Sequence, residues 1–335
     1  MTWTGVDQTG AIHTRKAGFK PLAATVLFES EAGNLVLVVS SETGKALSIK
    51  KFDHHALENL WQQSQIQLTN EKKKSAGMSV ATNRNSRMIV LVDCVLGLPE
   101  AVFPKEKSIR DLFRQASFHL EHCHLPAGRT RAADYFKMLL AGVKMGVSIS
   151  NDQFPRRTSE RIARSNSVFQ IHPFQKNIQS GTYRIWGDLG QKVNATKGTI
   201  TADMLHIWPQ DLANLKAPRV SKKHRAISIA EGYPTYYWKN LFNSASREPK
   251  QLAELATNTF AKYGRRIICE NWDLVAEKPD LADAAVLAMS AWILDQGGWF
   301  SKKWPSFFRD EPEIGLILKS EGWIAGVIPP GCSKD

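Results

Sequence analysis

Four acidic side chains close an apolar run or open a helix: Asp7 in WTGVDQTG, Asp93 in MIVLVDC, Glu231 in AISIAEGYPT and Asp283 in KPDLADAAVLAMSAW. A carboxylate set where an apolar strand ends inside a domain is costly unless something pairs with it. Four such groups from distant stretches point to one shared electronegative site. A divalent metal satisfies such a site most simply, because Mg²⁺ takes hard oxygen ligands and keeps several waters. Without one, clustered carboxylates repel and raise one another's pKa.

Each acid also has a purely structural reading. Asp7, before Gln8-Thr9-Gly10, could close a turn, and Asp93 could cap the loop that follows it. Asp280 and Asp283 fall in the first turn of a helix after Pro279, where negative charge suits the helix dipole. Glu231 stands beside a Pro-containing turn.

The elements that must position these groups follow from the hydrophobic pattern. WTGVD, PLAATVLFES and NLVLVVSS read as strands, the last two joined by EAGN, where Gly33 and Asn34 supply positive φ. Their nearly continuous apolar content predicts a sheet covered on both faces. A helix over 53–66 and a polar, basic loop (69–87) come next, then the strand RMIVLVDC. IRDLFRQASFHLEHC carries Ile109, Leu112, Phe113, Ala116 and Leu120 on one helical face. AISIAEGYPT is a strand ending at Glu231, and helices follow at QLAELATNTFAKY and from Pro279 to about Gln296. Strands followed by alternating strand and helix predict an α/β fold, a mixed sheet with helices on both faces.

Charge is the second signal. The chain has a formal net charge of +12 and a pI near 9.5, with 23% charged residues. Between Arg129 and Arg225 stand seventeen Lys and Arg against six Asp and Glu, so nearly the whole surplus lies in that stretch. Such a surplus favours a polyanionic partner, with nucleic acid the commonest. Arg157, Arg161 and Arg164 are expected along one helical face. Lys176, Arg184, Lys222, Lys223 and Arg225 extend the cationic set. Phe169, His172, Phe174, Tyr183 and Trp186 are interleaved with it, a mixture that can stack bases or equally form core.

Other classes find little support. Cys94, Cys123, Cys269 and Cys332 make no CxxC pair, which argues against a disulfide framework and fits a reducing, cytoplasmic setting. His119, His122, Cys123 and His124 invite a zinc reading, but no second ligand pair of suitable spacing follows, so a surface or phosphate-facing role is expected. No apolar run reaches the length of a membrane span, and no signal peptide, phosphate loop or nucleophile elbow is present.

In order and position, the acids resemble the ribonuclease H-like superfamily, and within it an uncharacterised branch of predicted nucleases. The resemblance rests on Gly5-Val6-Asp7, Val92-Asp93, Glu231-Gly232-Tyr233-Pro234, Asp280-Leu281-Ala282-Asp283-Ala284 and Glu321-Gly322-Trp323-Ile324. It covers the first ~100 and last ~110 residues. It implies a ribonuclease H-like core in two parts, residues 1–128 and 226–335, interrupted by a large basic insertion, 129–225. It implies two Mg or Mn ions held by carboxylates of the first strand, fourth strand and last helix: Asp7 bridging, Asp93 and Asp283 each holding one, Asp280 in reserve. Glu231 matches only the branch's own motif. An obvious glutamate on the first helix is missing; Glu58 is there with nothing to single it out. The implied activity is metal-dependent hydrolysis of DNA or RNA. A non-catalytic nucleic-acid-binding protein on the same fold is the alternative. A phosphotransferase is disfavoured, since Gly10 alone follows the first strand.

Overall fold

The computed structural model describes residues 1–7, 23–30, 32–39, 61–62, 87–99, 102–103, 107–124, 129–141, 156–165, 167–169, 176–197, 199–211, 227–300 and 320–329. Of the helix expected over 53–66, only Trp61 and Gln62 fall within them, and both are helical. The basic loop at 69–86 lies outside.

The fold is α/β, with a mixed seven-stranded sheet among the described residues. In chain order the strands are β1 (Thr2–Asp7), β2 (Ala23–Glu29), β3 (Leu35–Val39), β4 (Met88–Val92), β5 (Leu205–Trp208), β6 (Ile227–Glu231) and β7 (Ile267–Ile268). Across the sheet the order is β5-β6-β4-β1-β2-β3-β7. β2 is antiparallel to both β1 and β3, and the remaining pairings are parallel, so β2 alone runs against the others. Among the described residues of the β2–β3 turn only Gly33 has positive φ; the Asn34 backbone N–H donates to the Ser30 hydroxyl oxygen at 3.1 Å.

Both faces are covered, as continuous apolar strands require. One face carries α1 (Ile109–His122), α2 (Arg129–Ala141) and α4 (Lys176–Lys192), packed on Val6, Val90, Val92, Ile227 and Ile229. A Ser108–Asp111 capping box starts α1, whose buried face is the predicted one. The other face carries α5 (Pro234–Asn240), α6 (Leu252–Ala261) and α8 (Pro279–Gln296), packed on Trp3, Leu27, Leu91 and Ala230. The two short helices are α3 (Thr158–Ala163) and α7 (Trp272–Glu277). From Ala284 to Leu294 α8 is buried all round, so it is the central helix of its layer.

The described part of 129–225 supplies edge strand β5 and helix α4, which lies directly on α1: a Cβ on Gly190 would meet the Phe113 carbonyl oxygen at 2.1 Å. This stretch is woven into the core. Phe169, Tyr183 and Trp186, weighed as base-stacking groups, are buried core residues; His172 and Phe174 lie outside the described residues. No helix among the described residues is long and apolar enough to cross a membrane.

Candidate functional site

Register decides which acids can meet. Val6 pairs with Val92, and Val92 pairs with Glu231. The pairing continues past the strand end, where the Asp93 N–H donates to the Val6 carbonyl at 2.9 Å. Asp7, Asp93 and Glu231 therefore all lie at one end of the sheet, where parallel strands finish together. Side chains alternate between faces along a strand. Trp3 and Leu91 point into the α8 layer, so Asp7 and Asp93 share that face. Ile227 and Ile229 point into the α1 layer, so Glu231 goes to the opposite face.

Helix α8 delivers the third carboxylate. It can lie directly on β1 because residue 5 is glycine; a Cβ there would meet the Ala284 carbonyl oxygen at 1.9 Å and the Ala288 nitrogen at 2.5 Å. The Thr25 hydroxyl pins the same turn, donating to the Ala284 carbonyl at 2.7 Å. Asp283 thus sits above the end of β1. Its orientation is set by the buried Trp238, whose indole N–H donates to Oδ1 at 2.7 Å, and by Arg247, which pairs with Oδ2. Asp280 lies one turn earlier, exposed, with its charge bearing on both Asp7 and Asp283.

Electrostatics follow from this gathering. Burial holds the Asp7 carboxyl well above the usual range, and the charges of Asp93, Asp283 and Asp280 add to the rise; Arg247 opposes it. Burial first, then Asp283, pushes Asp93 up to about 7, against Arg247 and a hydrogen bond from the Asp7 carboxyl. Burial raises Asp283 as well, opposed by Arg247 and Trp238. Among the described residues, one cation opposes this acid set, Arg247. It stands on the loop after α5 at φ +53°, and its Nη1 donates to the Thr235 hydroxyl at 2.9 Å. The oxygens of the acids do not close within 4.8 Å as a set of three. The donors are nonetheless hard, buried at Asp7 and half-buried at Asp93 and Asp283, and among the described residues short of positive charge, a set that suits Mg²⁺ or Mn²⁺. Comparison with known protein families, curated proteins and solved structures finds no match.

Glu231 is corrected as a member of this site. It is 4% exposed and bound by Arg157, with Nη1 to Oε2 at 2.6 Å and Nη2 to Oε1 at 2.5 Å. The Leu96 N–H also donates to Oε2 at 2.9 Å. Arg157 further binds Glu160 through Nε at 2.9 Å and the Glu321 carbonyl through Nη1 at 3.0 Å. The Glu321 carboxylate accepts from the Thr158 N–H at 2.9 Å. This buried hub ties four chain segments together and leaves Glu231 no free edge for a metal.

The expected cationic face changes accordingly. Arg157 is the N-cap of α3 and wholly buried, so it cannot reach a phosphate. The helix is six residues long, and Arg164 ends it in the left-handed region at φ +56°. Arg161 is exposed but turned back onto the Arg156 carbonyl and Thr158 hydroxyl. Arg184 is also buried, 1% exposed, and burial drags its pKa down to about 8 against the charge of Asp188. Lys176 begins α4, its side chain outside the described set; Lys222, Lys223 and Arg225 lie outside altogether.

Two further residues escaped the sequence reading. Arg247, in NSASREP, has no spacing that marks it. Asp134 lies beside His119 and Cys123, eleven residues beyond the cysteine, and is brought there by the packing of α2 on α1.

Proposed function

We propose that the chain is a metal-dependent nuclease of ribonuclease H-like type, hydrolysing phosphodiester bonds of DNA or RNA at the Asp7–Asp93–Asp283 site. The observation that carries this reading is a set of buried and half-buried carboxylates from the first strand, the end of the fourth strand and a late helix, gathered on one face with Arg247 the one opposing cation among the described residues. That origin is the one the ribonuclease H-like resemblance implies. Buried, mutually repelling acids are a poor structural choice but a good cradle for cations.

Asp7 and Asp93 would hold one or both ions, Asp283 would complete the set, and Asp280 would reach it from the exposed turn. Bound Mg²⁺ or Mn²⁺ would lower the pKa of an attacking water and neutralise the departing oxygen. Trp238 keeps the Asp283 carboxylate facing the site. Arg247, half exposed, carries a guanidinium that suits a phosphate oxygen. The net charge of +12 draws the polyanion in.

The test is cleavage of single-stranded, duplex and branched DNA and RNA with Mg²⁺ or Mn²⁺. Asp7→Asn should reduce cutting to background while the protein stays folded. Absence of metal-dependent cleavage across all these substrates overturns the reading. A second reading, a nucleic-acid-binding protein without catalysis, draws on the Arg247–Asp283 ion pair, which already occupies one carboxylate. It requires salt-sensitive binding that is indifferent to EDTA.

A further inference from the structure

We infer a separate transition-metal site, of the zinc class, formed by His119, Cys123 and Asp134 on the opposite side of the sheet from the acid cluster. His119 is in the last turn of α1, Cys123 is its C-cap, and Asp134 comes from α2. One ligand atom from each lies within 4.8 Å of the other two, and they are the one such group among the described residues. His119 Nε2 and Asp134 Oδ2 are 3.2 Å apart, already a ligand-to-ligand spacing. Thiolate, imidazole and carboxylate form a borderline-soft set, which zinc accepts and Mg²⁺ does not favour.

The imidazole is oriented as metal ligands are. Its Nδ1 lies 2.7 Å from the hydroxyl of buried Tyr183, and the ring is flanked by Tyr135 and Tyr183 at centroid distances of 5.5 and 5.7 Å. With an ion bound, the Tyr183 hydroxyl would accept Nδ1–H and leave the Nε2 lone pair for the ion shared with Cys123 and Asp134, the outer-shell arrangement that fixes a ligating tautomer. Three protein ligands leave a fourth position open. Beside them lies a groove of about 790 Å³ lined by His119, Cys123, Lys107, Arg114 and Phe118. His122 is turned aside, its ring stacked on Phe118 at 4.1 Å.

Cobalt(II) titration of the chelator-treated full-length chain tests this. One equivalent should give visible bands of four-coordinate geometry and a near-ultraviolet thiolate-to-cobalt band, both displaced by zinc. Cys123→Ser should abolish the thiolate band, and Tyr183→Phe should weaken zinc binding roughly 10- to 100-fold. Asp7→Asn should leave the cobalt spectrum unchanged, which separates this site from the acid cluster. Lack of a thiolate band, or its persistence in a folded Cys123→Ser protein, overturns the inference.

Discussion

The end of the central sheet holds two groups of charged side chains, one on each face, and they are built on opposite plans. On the α1 face, Glu231, Glu160 and Arg157 are buried together with their oxygens and nitrogens used. On the α8 face, Asp7, Asp93 and Asp283 share a single opposing cation among the described residues and are held above their ordinary pKa values. The first group is a fastening: it joins residues 96, 157–160, 231 and 321, and every carboxylate oxygen of Glu160 and Glu231 accepts a hydrogen bond. The second is a deficit that the fold tolerates. Two acids one register step apart in neighbouring strands, Asp93 and Glu231, thus end in different trades because a strand turns successive side chains to opposite faces.

The largest effect expected is in the fastening. Glu231→Ala leaves Arg157 buried with half its partners gone, and removing one member of a buried pair costs about 3–5 kcal/mol. Urea unfolding should register that loss or find the protein unfolded. A loss under about 1 kcal/mol would mean that Glu231 is not fixed by Arg157 and could serve the acid site after all.

Asp7→Asn should move stability the other way. Removing one of several mutually repelling carboxylates should stabilise the metal-free protein by about 0.5–2 kcal/mol while ending metal-dependent cleavage. Opposite signs for Glu231→Ala and Asp7→Asn are the sharpest form of the contrast. A destabilised Asp7→Asn protein would make Asp7 a structural acid.

The fold and the site differ in how much of each was legible from sequence. Helix α8 was readable because Pro279 opens a long apolar run, and β1 and β4 because short apolar runs stop at an acid. The face of Glu231 is hard to read because β6 is buried at four of its five positions, and Ser228 alone is too little polar–apolar alternation to show which side its last residue takes. Helical spacing puts Arg157 with Arg161 and Arg164, and residue type puts Arg184, among surface cations; the burial of both depends on Glu231, Glu160 and Asp188, partners that only folding brings close. Asp134 and Arg247 required knowledge of which helix or loop crosses which. Local pattern carries the elements, whereas register and packing carry the pairings.

Acid titration should separate the faces more gently. Asp93 moves from an ordinary 3.8 to about 7 on folding. Between those values the folded chain holds a proton that the unfolded chain has released, so stability falls as pH rises. The contribution is complete below about 4 and gone above about 7, with a slope of at most ~1.4 kcal/mol per pH unit for one proton. In EDTA, urea midpoints should decline across that window. Saturating Mg²⁺ or Mn²⁺ should flatten or reverse the decline, because the ions bind the deprotonated acids. A metal-free profile that rises from pH 4 to 7 would remove the deficit from the α8 face.

Arg247 should give the smallest effect on stability and the finest distinction. Its side chain is 40% exposed, and an ion pair so open contributes within about 1 kcal/mol. Arg247→Gln should therefore hardly shift the urea midpoint at pH 8. Yet this cation holds down the pKa of Asp7, Asp93 and Asp283 together, so its removal should raise the pH at which the cluster ionises and leave Asp283 with Trp238 alone. If the acids exist to hold metal, the freed carboxylate should bind Mn²⁺ more tightly at pH 8 and more weakly at pH 6, where Asp93 holds a proton. Calorimetric titration at the two pH values reads that crossover. If the Arg247–Asp283 pair is instead the purpose of the cluster, the variant should lose stability at both pH values and gain no affinity for the ion at either.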